Sequence, residues 1–162
     1  MRFDGRIAEN FKLSSGTWVN VAELRLLALK VFSPYARDVV ITGHDREFVA
    51  AMVFPDLEAC RALCDDLSGL MPGAEQIVGS AGVRAFFQQG LNTLAAQAGG
   101  SSSRISRIVM ESEQPTFDNG ELSAKSAISQ ANVLDRRRDV VLELYRAEPT
   151  PRTLVGRVDR ET

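Results

Sequence analysis

The sequence predicts an α+β domain in which a small β-hairpin precedes a mainly antiparallel sheet of about three strands covered by helices. Three observations lead there. Short strand-like runs separated by turn residues fall within positions 11–19 and 38–54; apolar residues recur at helical spacing from Val21, from Val83 and from Val133; and a further strand-like run at 105–110 stands between the second and third of these stretches. At 162 residues the chain is long enough for one domain with a real core, and no internal repeat divides it.

The elements follow in order. Phe11-Lys12-Leu13 and Thr17-Trp18-Val19 flank Ser14-Ser15-Gly16, a glycine-containing loop of hairpin length. Asn20, with Glu23 three residues on, is a helix N-cap in a capping-box position. Val21, Leu24, Leu27, Ala28 and Val31 give the helix behind it an apolar stripe that ends at Ser33-Pro34. Asp38–Thr42 and Phe48–Phe54 are strands joined by the turn Gly43-His44-Asp45-Arg46. Pro55-Asp56 opens a helix expected to run to about Leu67, and a loop with Pro72, Gly73, Gly79 and Gly82 leads to the next helix, whose face is Val83, Phe86, Phe87, Leu91 and Leu94. Gly99–Ser103 is a flexible connection, Ile105–Met110 a strand, and Gln114–Gly120 a turn-rich loop. One last helix carries Val133, Leu134, Val140, Val141, Leu144 and Tyr145. Residues 1–146 are expected to form the domain and 147–162 a flexible tail rich in charge, proline and glycine.

Composition removes several function classes. Hydrophobic residues make up 44% and charged residues 25%, an ordinary globular balance, and the formal net charge of −2 offers no broad pull toward nucleic acid or an acidic membrane. No apolar run approaches the roughly 20 residues that span a bilayer. Met1-Arg2-Phe3-Asp4-Gly5 does not read as a leader, so a cytoplasmic protein is expected. Cys60 and Cys64 share a helix face, but the single histidine, His44, lies in another segment; the thiols read as small buried hydrophobes, with no metal site expected. His44 itself reads as an exposed turn residue, and Arg136-Arg137-Arg138, between Asp135 and Asp139, as a solvated face rather than a phosphate site.

The segment Gly5 to Val19 is the most informative. From its residues alone it is a Gly-Arg turn and a hairpin with a small-residue tip, either an ordinary surface hairpin or one whose glycine lets a ligand pass close to the backbone. Its wording, Gly5-Arg6-Ile7-Ala8-Glu9 through Phe11-Lys12-Leu13 to Gly16-Thr17-Trp18-Val19, resembles the hinge signature of adenylate-forming enzymes. That superfamily holds acyl-CoA synthetases, luciferases and peptide-synthetase adenylation domains. Asp38–Arg46, Val53-Phe54-Pro55 and Gly120-Glu121-Leu122-Ser123-Ala124-Lys125 are similar, in the same order, to feruloyl-CoA synthases and related acyl- or aryl-CoA ligases.

The resemblance implies the small mobile C-terminal lid domain of such a ligase. ATP with Mg2+ and a carboxylate give an acyl-AMP and pyrophosphate, and CoA then displaces AMP. The partner is the large N-terminal adenylation domain, with ATP, AMP and CoA as ligands of the full enzyme and none held by this domain alone. Arg6 matches the arginine near the nucleotide, and Ala8 with Glu9 the hinge, where the wider superfamily has Asp or Lys at the pivot. Lys12, Gly16 and Trp18 fall on the CoA-side hairpin, with Trp18 equally readable as core. Lys125 is the candidate catalytic lysine, whose ammonium would meet charge building on the carboxylate and α-phosphate. Only Lys12, Lys30 and Lys125 are lysine among 19 basic residues, so two of three fall at motif positions, although the usual Gly-Lys pair is here Gly120-Glu121. A chain that opens almost on the hinge is expected to be an excised part of a ligase, inactive alone. The competing expectation is a stand-alone lid-like module that docks on a separate synthetase.

Overall fold

The computed structural model describes residues 10–64, 73–98, 103–123 and 128–156. Strands β1 (Phe11–Lys12) and β2 (Trp18–Val19) form the expected antiparallel hairpin, with Phe11 opposite Val19. Helix α1 (Val21–Phe32) starts as the sequence predicts, the Asn20 side chain accepting from the Glu23 amide at 3.1 Å. Its buried face is Val21, Leu24, Ala28 and Phe32; Leu27, expected on that stripe, is exposed.

Strands β3 (Ala36–Thr42), β4 (Val49–Pro55), β5 (Ile105–Met110) and β6 (Thr153–Val155) make a four-stranded sheet in that order. β3–β4 and β5–β6 are antiparallel, and β4–β5 is parallel. A parallel pair needs a long crossover, supplied by helices α2 (Leu57–Cys60), α3 (Ala74–Val78) and α4 (Ala81–Gln97). All seven residues of β4 are buried, as a central strand with both faces covered must be. Side chains alternate between the faces. Val39, Ile41, Ala51, Val53, Ile108 and Met110 pack under α1 and α4, while Val40, Ala50, Met52, Phe54 and Val109 pack with Val133 and Leu144 on α5 (Gln130–Arg136) and α6 (Arg138–Leu144). The outer edge of β3 is capped by Gln130, which donates to the Val39 carbonyl at 3.2 Å and accepts from the Ile41 amide at 3.1 Å, in the manner of a neighbouring strand.

The course of the chain itself departs from expectation in four further places. The helix opened by Asp56 leaves α-helical geometry after Cys60, continues as a 3-10 turn to Leu63, and ends there; the expected extension toward Leu67 lies outside the described residues. Gly82 belongs to α4 and not to a loop, because the helix passes so close to the preceding turn that a Cβ there would lie 1.8 Å from the Leu63 carbonyl oxygen. The last helix is two helices broken at Arg137, whose backbone has φ −108° and ψ 40°. Finally, the stretch after Ala147, expected to be loose, supplies β6, which pairs with Arg107–Val109 and buries Leu154. Residues 157–162 and most of the expected 99–103 connection lie outside the described part.

β6 therefore has a measurable weight. Deleting residues 147–162 is expected to lower stability by about 3 kcal/mol or more, since Leu154 loses its burial and β5 its outer partner. Urea unfolding of the full and shortened chains checks this. An unchanged midpoint would mean the segment adds nothing to the sheet.

The cysteines behave as small buried hydrophobes: both are free and buried, Cys60 donating to the Tyr35 carbonyl and Cys64 to the Cys60 carbonyl, each at 3.4 Å. Burial, with the Asp56 charge behind it, pushes the Cys60 thiol up to about 12, so it stays protonated and unreactive. Among the described residues no helix is long and apolar enough to cross a membrane.

Candidate functional site

The hairpin is fastened at its base and open at its tip. Leu13 is buried, its amide donating to the Thr17 carbonyl at 2.9 Å, and the Gly16 amide closes the turn on the Leu13 carbonyl at 2.8 Å. Gly16 has φ +90°, a conformation glycine accepts without strain, and the space where a Cβ would stand is open. The β3–β4 turn runs alongside: the Ser14 amide donates to the Arg46 carbonyl at 2.8 Å and the Asp45 amide to the Lys12 carbonyl at 2.9 Å. Gly43 lets the two segments touch, since a Cβ there would stand 3.1 Å from the Phe11 ring. His44 is exposed in this turn, edge-on to Phe11. Before the hairpin, Asn10 accepts from the Val21 amide at 3.0 Å, tying the chain beyond the expected hinge to the start of α1.

Of the residues singled out from sequence, Lys12, Gly16 and Trp18 are described and lie together. The Lys12 ammonium sits 5.2 Å from the centre of the Trp18 ring. Trp18 is 62% exposed, which excludes the core reading; with Leu27 it lines one side of a shallow surface depression. Arg6, Ala8, Glu9 and Lys125 lie outside the described residues. The two ends of the stretch that contains Lys125 are described, and both are held. Leu122 and Ile128 form an antiparallel bridge, and the Ser129 amide donates to the Glu121 carbonyl at 2.8 Å. Beside this bridge is a cleft of about 310 Å³ lined by Phe54, Gln114, Pro115, Leu122 and Ile128, with Arg37 and Asp38.

Behind the bridge lies a buried ionic cluster, and here the expectation of a solvated arginine run fails. Arg138 is exposed and pairs with Asp135, but Arg137 is only 6% exposed. Its Nε and Nη2 donate to the two oxygens of Glu121 at 2.8 and 2.9 Å, and its Nη1 to Glu111 at 2.6 Å. The guanidinium also stands 4.9 Å from the Phe54 ring centre. Arg136 reaches Glu121 at 3.3 Å, and Arg152, next to β6, joins Glu111 at 2.9 Å to Glu143 at 2.8 Å. Burial alone would raise the Glu121 carboxyl, but the Arg137 hydrogen bonds and the charges of Arg137 and Arg136 overcome this and hold it below its ordinary value. Glu143 is likewise held down, first by its bonds from Arg152. One signal in the sequence could have found this cluster. Arg137 lies four residues after Val133 and four before Val141, on the apolar stripe of the predicted helix and not on its wet side.

No protein-family model matches the sequence, and no curated protein matches it. Among solved structures the fold is similar to part of the A domain of carboxylic acid reductase from Segniliparus rugosus, in complex with AMP and a co-purified carboxylic acid. That match has a TM-score of 0.64 and 24% identity, and covers 86% of this chain and 20% of that one. The A-PCP didomain of carboxylic acid reductase from the same organism, with AMP, gives 0.61 and 24%, over 85% and 17% of the two chains. The adenylation domain of the carboxylate reductase from Mycobacterium chelonae gives 0.63 and 20%, over 86% and 20%. The likeness is one of fold: the α+β architecture is that of a segment of these adenylation domains, and the chain spans about a fifth of their length.

Proposed function

We propose that this chain is the small mobile domain of an ATP-dependent acid-activating enzyme, an acyl- or aryl-CoA ligase similar to feruloyl-CoA synthase. In this reading a large adenylation domain holds the acyl pocket and most of the nucleotide site, and this domain completes it in two orientations. In the first, the carboxylate attacks the α-phosphorus of ATP, taken as its Mg2+ complex, and pyrophosphate leaves. In the second, the CoA thiol attacks the acyl carbon, losing its proton, and AMP leaves. Arg6 contacts the nucleotide, Ala8 and Glu9 form the pivot, and Lys125 stabilises the charge that builds during adenylation. Lys12, Gly16 and Trp18 face the incoming thiol.

The observation that carries this reading is the fold match of 86% of the chain to an adenylation domain with AMP bound. The hairpin supports the second half-reaction: a tip of serines and one glycine, with open space at Gly16, suits a surface that admits a narrow pantetheine arm. The test is Gly16→Leu in the complete enzyme. It is expected to slow thioester formation from preformed acyl-AMP about tenfold or more, while acyl-AMP formation changes less than about threefold. Equal loss in both half-reactions would take the hairpin out of the thiol path.

A further inference from the structure

We propose that the cleft beside the Leu122–Ile128 bridge binds a small aromatic carboxylate that also carries a hydrogen-bond donor. The site is built from β3, β4, the loop after β5 and the bridge, and is independent of the ligase reading. Arg37 supplies its charge. Ala36 pairs with Pro55 and Asp38 with the adjacent Phe54, so Arg37 is an extra residue in β3, a β-bulge. Unbroken alternation from Val39 would put Arg37 on the face under α1 and α4. The bulge brings it instead to the cleft, with Asp38 and with Phe54 of the opposite face. Asp38 is taken by Arg25 at 2.8 Å, whereas Arg37 is exposed and has no carboxylate partner among the described residues. Its guanidinium is free to take a carboxylate through two parallel bonds.

The walls are apolar and already held. Leu122 and Ile128 are fixed by their bridge, Phe54 lies under the Arg137 guanidinium at 4.9 Å, and Pro115 completes the lining. A volume of about 310 Å³ stands at the small end of ligand sites, which run from about 300 to 1,000 Å³, and suits a single ring better than a nucleotide or a peptide. Gln114 adds the polar requirement. Its Nε2 donates to the Pro55 carbonyl at 3.3 Å, and its Oε1 is the one buried side-chain polar atom among the described residues that has no partner. A buried acceptor left empty is costly, and in folded proteins it usually answers to a ligand or an ordered water. A ring hydroxyl entering beside Gln114 supplies the missing donor. One apolar ring, one negative group and one donor define the ligand class.

The test titrates the 162-residue chain with 3- and 4-hydroxybenzoate and with benzoate, following the Leu122 and Ile128 methyl signals by NMR. The tighter hydroxybenzoate is expected to shift these methyls with a Kd of about 1 mM or below. Benzoate should bind about threefold or more weakly, for want of the donor. Arg37→Ala should weaken both about tenfold while leaving the unfolding midpoint unchanged, because the side chain is exposed. Gln114→Leu should keep benzoate within about twofold and erase the preference for the hydroxyl. A Kd above about 10 mM, shifts centred on the Trp18 depression, or parent affinity in Arg37→Ala overturns the proposal. Equal binding of benzoate and hydroxybenzoate by the parent overturns it too, since water then satisfies Gln114. So does a hydroxyl preference that survives Gln114→Leu, or equally strong binding of inorganic phosphate, which would make Arg37 a general anion contact.

Discussion

Lys125→Ala in the complete enzyme is expected to slow carboxylate-dependent ATP–pyrophosphate exchange on the order of 100- to 1000-fold, the cost of removing one preorganised charge from a transition state. Thioester formation from preformed acyl-AMP should stay within about threefold, because AMP is then the leaving group and the pyrophosphate step is already past. The split matters more than the size. A variant that merely misfolds loses both steps, whereas a lysine that meets the α-phosphate loses one. Exchange at the parent rate would remove Lys125 from the reaction and leave Lys12 and Lys30 as the remaining lysines of the chain.

Arg137→Ala is the substitution expected to cost most in stability, about 3–5 kcal/mol, because it strands the carboxylates of Glu111 and Glu121 in a buried site with one partner removed. Urea unfolding of the isolated chain reads this directly. A loss below about 1 kcal/mol, the range of an exposed pair, would mean that solvent reaches the cluster. The same geometry sets a pH dependence. Glu121 and Glu143 are held below the ordinary carboxylate value of 4.5, so they favour the folded state above that pH, and the contribution is lost as pH falls through their folded-state values. Stability should therefore drop from about pH 4.5 downward, and Glu121→Gln should flatten that slope. An identical slope in the variant would place the acid transition elsewhere.

What was legible in the sequence was local. The hairpin follows from a glycine between two short strand-like runs, and the start of α1 from Asn20 and Glu23, each decided within a few residues. The strand pair around Gly43–Arg46 was equally plain, since both runs are apolar and the turn residues stand between them. What escaped depends on distant partners. Thr153-Leu154-Val155 is too short and too closely surrounded by charge to signal a strand, and becomes one only because β5 offers an edge. The helix from Asp56 stops at Leu63, where the backbone of α4 presses on it through Gly82. Arg137 carries a surface residue's charge at a core position, and its two carboxylate partners lie 16 and 26 residues away. For the site, the hairpin expected from the sequence is present, with Lys12 and Gly16 on it and Trp18 exposed. The residues expected at the nucleotide and hinge, Arg6, Ala8 and Glu9, and the expected lysine, Lys125, lie outside the described residues.

Carboxylate-dependent ATP–pyrophosphate exchange, compared between the complete enzyme and the same enzyme lacking this domain, tests the central claim most directly. The account predicts exchange in the first, loss of about 100-fold or more in the second, and no acyl-CoA formed by the isolated chain. Full exchange and thioester formation without the domain, or turnover by the isolated chain, would contradict it.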